Sequence, residues 1–347
     1  MSLSYAERLE RSRRIITAIA AGDALGATGE LKRHAEIPAL LDELAETGWP
    51  FVQAGGGPFE LEPGGTTDET GMAMCIFHSF REIYRFDPGA AVDRLIEWMR
   101  SHPPGIKPSV STALTWSASG DHWYDGALRE YNRGTQPGFS NALAINGLAA
   151  SMAATLDEAF KFSVQQCMIT SFSPDTAVVC CAHTFMLMEL LGGGHPPSDW
   201  RREFELLFRL WLDREKDRSL NVWRDTVGDR ITESLDSLMT ADLSVEEWSP
   251  LHTDWGKSSE TAMHMFRIAL WALHWSRCSD DFQVPHSYFP ESLFRRRCAD
   301  TLGWVAITGH HSDACAAAAA PLLASAHGGL PAGMTAGLDV LHQIESL

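Results

Sequence analysis

The chain has 347 residues, 45% hydrophobic and 21% charged, which supplies a sizeable core and excludes a fully disordered polymer. Its 28 Lys+Arg against 45 Asp+Glu leave a net charge of -17. This balance argues against extended nucleic-acid backbone contact and against a polybasic membrane surface, but leaves room for a small phosphorylated ligand held by backbone amides or a bound cation.

Helix follows helix along the chain. The first is expected over 5–21, with Leu9, Ile15, Ile16 and Ile19 at helical spacing. Glu7 and Glu10 among its arginines, and its short apolar run, argue against a signal peptide. It leads into Gly22-Asp23-Ala24-Leu25-Gly26-Ala27-Thr28-Gly29-Glu30. Read alone, this is a helix end stopped by glycine. The other reading is a turn where another backbone comes close, with Asp23 or Glu30 directed into a cleft and the Glu30 side chain exposed. A helix over 36–46 follows. In Thr66-Thr67-Asp68-Glu69-Thr70, a threonine caps a helix over 68–84 with two acids at its positive end. Alternatively, these hydroxyl and carboxylate groups are hard oxygen ligands for Mg²⁺, Mn²⁺ or Ca²⁺.

Helices are next expected over 91–101, 141–153 and 156–169. Ser173-Pro174-Asp175 then reads as a helix start with a capping hydroxyl, followed by the apolar stretch 177–191 and a stop at Gly192-Gly193-Gly194. No apolar run is read as reaching the ~18 residues that span a bilayer. Further helices fit 199–214, 220–238, 258–276, 290–304, 312–326 and 335–346, and the alanines at 316–320 read as a close-packed helix face. Gly309-His310-His311-Ser312-Asp313-Ala314 is either a loop ending in a cap or a group contacting metal or substrate. Cysteines at 75, 167, 180, 181, 278, 298 and 315 form no CxxC pair and read as reduced thiols of a cytoplasmic protein. Alternating β-branched runs are nearly absent, so the expectation is one all-α domain over 1–347. Substrate contacts are sought in the loops 51–66, 102–110, 117–138, 239–257 and 279–289.

Taken together, these segments resemble the ADP-ribosylglycohydrolase family, which includes the dinitrogenase reductase-activating glycohydrolases. Gly22–Glu30 matches its GDxxGxxxE signature, Thr67-Asp68-Glu69-Thr70-x-Met72 is similar to TDDTxM, and Ser140-Asn141-Ala142-Leu143 resembles its central NGA segment. Thr170-Ser171-Phe172-Ser173-Pro174 resembles its TH-x-P segment, and Gly256-Lys257-Ser258 through Leu273 resembles the loop and helix before the last motif. Gly309–Ala314 is similar to GxDxDT, and Gly329-Leu330-Pro331 leading to Gly337-Leu338 resembles the C-terminal IPxxWxxGL.

The resemblance implies a compact multi-helix bundle with a binuclear Mg²⁺ or Mn²⁺ centre that hydrolyses an ADP-ribosyl N- or O-glycosidic linkage, with ADP-ribose or an ADP-ribosylated protein as partner. It assigns Thr67, Asp68 and Glu69 to one ligand group and His311 and Asp313, with Ala314, to the other. Glu30, Asp68 and Glu69 become the catalytic acids. Asp23, Ser140, Asn141, Ser258 and His310 become substrate contacts. Carboxylates and a cation suit this chemistry because glycosidic cleavage passes through an oxocarbenium-like state. The chain departs from the family's pattern where Glu69 replaces Asp, His311 replaces a carboxylate and Ala314 replaces Thr. Imidazole suits Mn²⁺ better than Mg²⁺, so the centre is expected to hold one or two ions. The alternatives are a catalytically impaired binder of ADP-ribose or an ADP-ribosylated protein, and a purely structural use of the fold.

Overall fold

A long first helix organises the molecule, whose computed structural model describes residues 3–134, 141–243, 261–277 and 297–346, apart from the side chains of 34 and 297–300. Helix α1 (Tyr5–Ala27) opens on a capping box between Ser4 and Glu7 and buries Ile15, Ile16, Ile19 and Leu25. It does not stop at Gly22: both Gly22 and Gly26 lie inside it. Their partner is the alanine-rich helix that the chain reaches near its end. A Cβ on Gly22 would fall 2.3 Å from the Ala316 carbonyl oxygen, and one on Gly26 would fall 2.3 Å from that of Ser312. Glycine here permits backbone-to-backbone contact, and the alanine face expected at 316–320 is fully buried against it.

In chain order follow α2 (Ile37–Leu44), α3 (Asp68–Ile83), α4 (Pro88–Met99), α5 (Pro108–Ser117), α6 (Asp125–Asn132), α7 (Asn141–Ala144), α8 (Gly147–Met152), α9 (Leu156–Thr170) and α10 (Pro174–Leu191). Then come α11 (Trp200–Arg214), α12 (Arg218–Val227), α13 (Arg230–Thr240), α14 (Ala262–Ser276), α15 (Arg297–Ala306), α16 (Ser312–His327), α17 (Ala332–Thr335) and α18 (Leu341–Glu345). No strand occurs among the described residues, which include an isolated β bridge between Gly56 and Leu61. The all-α expectation holds.

The core runs through α1, α9, α10, α14 and α16. Helix α11 shows how a sequence stripe becomes packing. Phe204, Phe208 and Trp211 share its inner face and meet Phe160 of α9 edge-on, with ring centroids 6.0, 5.7 and 5.7 Å away. Helix α10 is apolar all round, so it is a buried helix. Its 18 residues, with a mean hydropathy of 1.2, do reach the length and composition of a membrane span, unlike the expectation from the sequence, yet 78% of it is buried inside the protein.

Several boundaries differ from expectation for identifiable reasons. Of the stretches read as loops, 102–110 includes the first turn of α5 and 117–138 contains α6; Pro108 starts α5 at a position where a missing N–H costs little. The helix expected over 141–153 breaks between α7 and α8, where the Asn146 amide donates to the Cys180 carbonyl and the Thr184 hydroxyl. The helix expected over 220–238 breaks at Gly228, with φ 46°. Ser173 precedes α10 without a side-chain capping bond. The last expected helix is two short ones, α17 and α18. Cys75, Cys167, Cys180, Cys181 and Cys315 are buried free thiols. Residues 258–260 and 290–296 of two expected helices, and the side chains of Cys278 and Cys298, lie outside the described residues.

Candidate metal centre

Three helix ends converge to build an acidic cluster. Thr67 occupies the N-cap of α3, but its side chain makes no capping bond. The cap is instead Asp23, reaching across from α1. Its Oδ2 accepts from the backbone N–H of Thr67 (2.9 Å) and Thr70 (3.0 Å) and from the Thr70 hydroxyl (2.5 Å), while Oδ1 accepts from the Thr67 hydroxyl (2.5 Å). Asp23 thereby ties α1 to α3 and satisfies two of the orphan amides at a helix start. Asp23, expected at the substrate, is fully buried here and serves four donors of the protein itself.

The second wall is the start of α16. The Ser312 hydroxyl donates to the Gly26 carbonyl at 2.8 Å, so neither cap expected here forms as read; Asp313 Oδ1 accepts from the next amide, Ala314 N–H, at 2.6 Å. The preceding loop is bolted to the chain beyond α1, with Leu31 N–H donating to the His310 carbonyl (2.8 Å) and His310 N–H to the Lys32 carbonyl (3.3 Å). These contacts bring Glu30 beside Asp313. Glu30 is buried, with 4% of its surface exposed, contrary to the exposed side chain expected after a glycine-rich helix end.

Acceptors outnumber donors in this cluster. The Thr67 hydroxyl has a single proton, yet it lies 2.5 Å from Asp23, 2.9 Å from Glu69 and 3.5 Å from Asp313. The Asn141 amide donates to Asp68 (3.2 Å) and Glu69 (3.3 Å). Asp68 Oδ1 and Glu30 Oε2 are buried without a hydrogen-bond partner. Burial and then neighbouring carboxylates push Asp23 up to about 7, Asp313 up to about 6 and Glu30 up to about 11; Asp68 is raised well above its ordinary value by burial and by Glu69. Burial alone would also raise Glu69, but the Lys107 ammonium at 3.4 Å and its hydrogen bonds hold it below its ordinary value. Lys107 is raised in turn: Glu69 and the other carboxylates outweigh the burial that opposes its charge.

An excess of buried carboxylate oxygens requires protons or a cation. Single ligand atoms of Glu30, His311 and Asp313 lie within 4.8 Å of one another, as do those of Asp23, Glu69 and Asp313. The first group is the more open, because Asp23 and Glu69 already accept several protein donors. Hard oxygens with one imidazole fit a divalent cation of the Mn²⁺ or Mg²⁺ type.

Of the residues singled out in the sequence, Asp23, Glu30, Thr67, Asp68, Glu69, Asn141 and Asp313 meet here, with the half-buried His310 and His311 alongside. Ser140 and Ser258 lie outside the described residues. Lys107 was missed. Its only signal in the sequence is a cation within the loop 102–110.

The sequence pattern of the ADP-ribosylglycohydrolase family matches residues 4–347, and the chain belongs to that family. It is similar to the ADP-ribosylarginine hydrolase Tri1 of Serratia proteamaculans (strain 568), 28% identical over 198 residues, covering 54% of this chain and 49% of that protein. It is also similar to the ADP-ribosylarginine hydrolase Tri1 of Pseudomonas putida (strain GB-1), 27% identical over 187 residues, covering 52% of this chain and 46% of that protein. The matched region thus spans about half the length of these curated relatives. A solved ADP-ribosylglycohydrolase-related protein complex shares the fold, with TM-score 0.63 at 18% identity over 98% of this chain and 96% of that one.

Proposed function

We propose that the chain hydrolyses an ADP-ribosyl N- or O-glycosidic linkage, releasing ADP-ribose from a modified protein, and that it does so with Mg²⁺ or Mn²⁺ bound at Glu30, His311 and Asp313. Family membership supports the reaction class, and the two relatives named above favour arginine as the modified side chain. The observation that carries the metal is the pair of buried, unpartnered carboxylate oxygens, Asp68 Oδ1 and Glu30 Oε2, in a cluster short of donors.

When bound, a divalent cation would supply Lewis acidity and orient the ribose hydroxyls. The chain's own residues do the rest. Asp23 fixes the start of α3, and so sets where Thr67, Asp68 and Glu69 stand. Glu30 is the least buried acid of the cluster, at 4% exposed against 0% for Asp68, Glu69 and Asp313, so it is the carboxyl that a substrate meets first. Without a cation, burial and the neighbouring Asp313 push Glu30 up to about 11, so cation binding there is coupled to release of a proton. The remaining carboxylates stabilise positive charge developing at the anomeric carbon.

The test is ADP-ribose release from an ADP-ribosylated arginine peptide, with Mn²⁺ and after chelation. Release that chelation abolishes and Mn²⁺ restores is expected. Release indifferent to chelation would contradict the metal reading. Tight ADP-ribose binding without release would establish the impaired binder instead, the reading favoured by Ala314, which offers Asp313 a backbone N–H but no hydroxyl.

A further inference from the structure

We infer that Lys107 is a built-in cation that takes the place of one of the two divalent ions implied by paired ligand groups, so that the centre holds a single ion. This inference rests on the metal reading given above. The Lys107 side chain is 13% exposed, and its ammonium lies 3.4 Å from Oε1 of Glu69, which is wholly buried. Its position is enforced from both sides. On one side the chain passes directly over the start of α3 at Gly105, whose φ is +85° and where a Cβ would fall 2.7 Å from Asp68 Oδ1 and 3.1 Å from the Thr67 Cβ. On the other, Lys107 is the N-cap of α5, and its carbonyl accepts from Ser111 N–H at 3.0 Å. Only a glycine allows this close crossing, and the crossing delivers the lysine to the cluster.

Glu69 is turned to the lysine. Its Oε1 takes Lys107 and the Asn141 amide, and its Oε2 takes the Thr67 hydroxyl. Both oxygens are therefore engaged by the protein. An aspartate here would be one methylene shorter, whereas the glutamate reaches the ammonium. A divalent ion bound through Glu69 would sit within a few ångströms of that ammonium and be repelled by it. Beyond Glu69, single ligand atoms of Glu30, His311 and Asp313 lie within 4.8 Å of one another, and Glu30 Oε2 is buried without a hydrogen-bond partner; the field of the ammonium reaches Glu30 and Asp313 as well, but its ion pair is with Glu69. The cluster is thus divided: one half holds a tethered monovalent cation, and the other is left for an exchangeable divalent one.

The experiment measures Mn²⁺ stoichiometry by native mass spectrometry, and the melting temperature with and without Mn²⁺, on the full chain and two variants. The wild type should bind one Mn²⁺. Lys107→Met keeps the stem and removes the charge; it should bind two and show a larger rise in melting temperature on Mn²⁺ addition. Lys107→Arg keeps the charge and should return to one. Two ions in the wild type would overturn the inference, as would one ion in Lys107→Met, or a Lys107→Met chain that fails to fold even in saturating Mn²⁺. No ion in either the wild type or Lys107→Met would instead overturn the metal reading beneath it. No ion in the wild type but one in Lys107→Met would support the lysine's role and contradict the Glu30–His311–Asp313 site.

Discussion

Two buried polar networks lean on α16, and they are built on opposite terms. One surrounds His183, which is fully buried in α10. Its Nε2 lies 3.0 Å from the Ala318 carbonyl oxygen, its Nδ1 lies 3.4 Å from the Asn146 amide nitrogen, and the adjacent Thr184 pairs with Ser163 at 2.6 Å. Burial holds His183 down to about 4, so the ring is neutral, donating from Nε2 and accepting at Nδ1. The other network surrounds Asp313 at the start of the same helix and gathers carboxylates. The neutral network leaves one amide oxygen, Asn146 Oδ1, without a partner; the acidic one leaves carboxylate oxygens. The difference separates a polar group that completes a fold from one that awaits a ligand. Neutral groups can close among themselves, but like charges cannot.

The largest expected effect strikes the contact that positions the acidic network against α1. Gly26→Ala sets a Cβ against the Ser312 carbonyl oxygen, which cannot swing away as a side chain would. We expect a loss of about 3 kcal/mol in urea denaturation, together with weaker Mn²⁺ binding as Asp313 is displaced. An unchanged midpoint would show that the helices have slack. A sharper division comes from Asp68→Asn, which removes a charge from the acidic network alone. Mn²⁺ affinity by calorimetry should fall about a hundredfold, while the denaturation midpoint in chelator does not fall. Undiminished affinity would remove Asp68 from the cation's surroundings.

The neutral network has its own signature in pH. His183 has an ordinary value of 6.5 and a native value of about 4, so between these the unfolded chain binds a proton that the native chain refuses. Stability from this group is therefore present above the unfolded value and falls as pH falls. From pH 7 to pH 5 the wild type should lose about 2 kcal/mol more than His183→Gln. Equal losses would mean that the native ring takes up its proton over the same pH range as in the unfolded chain. The smallest effect on stability is expected for Glu30→Gln. Burial keeps this acid protonated in the absence of a cation, so the amide is close to it in shape and charge. The midpoint in chelator should move by less than about 0.5 kcal/mol, while ADP-ribose release drops. A large loss of stability with normal release would make Glu30 structural.

Periodicity is enough to find α3, α9 and α11 within a few residues, and α10 is bounded by Ser173-Pro174-Asp175 and the glycines after it. Periodicity stops α1 too early, since the penalty for Gly22 and Gly26 is local while the reason for them, the backbone of α16, is hundreds of residues away. The short α5 and α6 hid among Pro, Gly and Trp for the same reason: tertiary packing, not propensity, makes them helical. The acids of the site were legible because they sit in three ordered motifs. Their division of labour was not. Nothing in the sequence shows that Asp23 serves four donors at the start of α3. Lys107 belongs to no periodic pattern, and only the crossing at Gly105 brings it to Glu69.

Anomalous diffraction at the manganese edge, from crystals grown with saturating Mn²⁺, tests the contrast between the two networks most directly. A single strong peak bounded by Glu30, His311 and Asp313 is expected, with the Lys107 ammonium still on Glu69 and no peak near His183. No peak in the acidic cluster, or an ion held by Glu69 with Lys107 displaced, would contradict it.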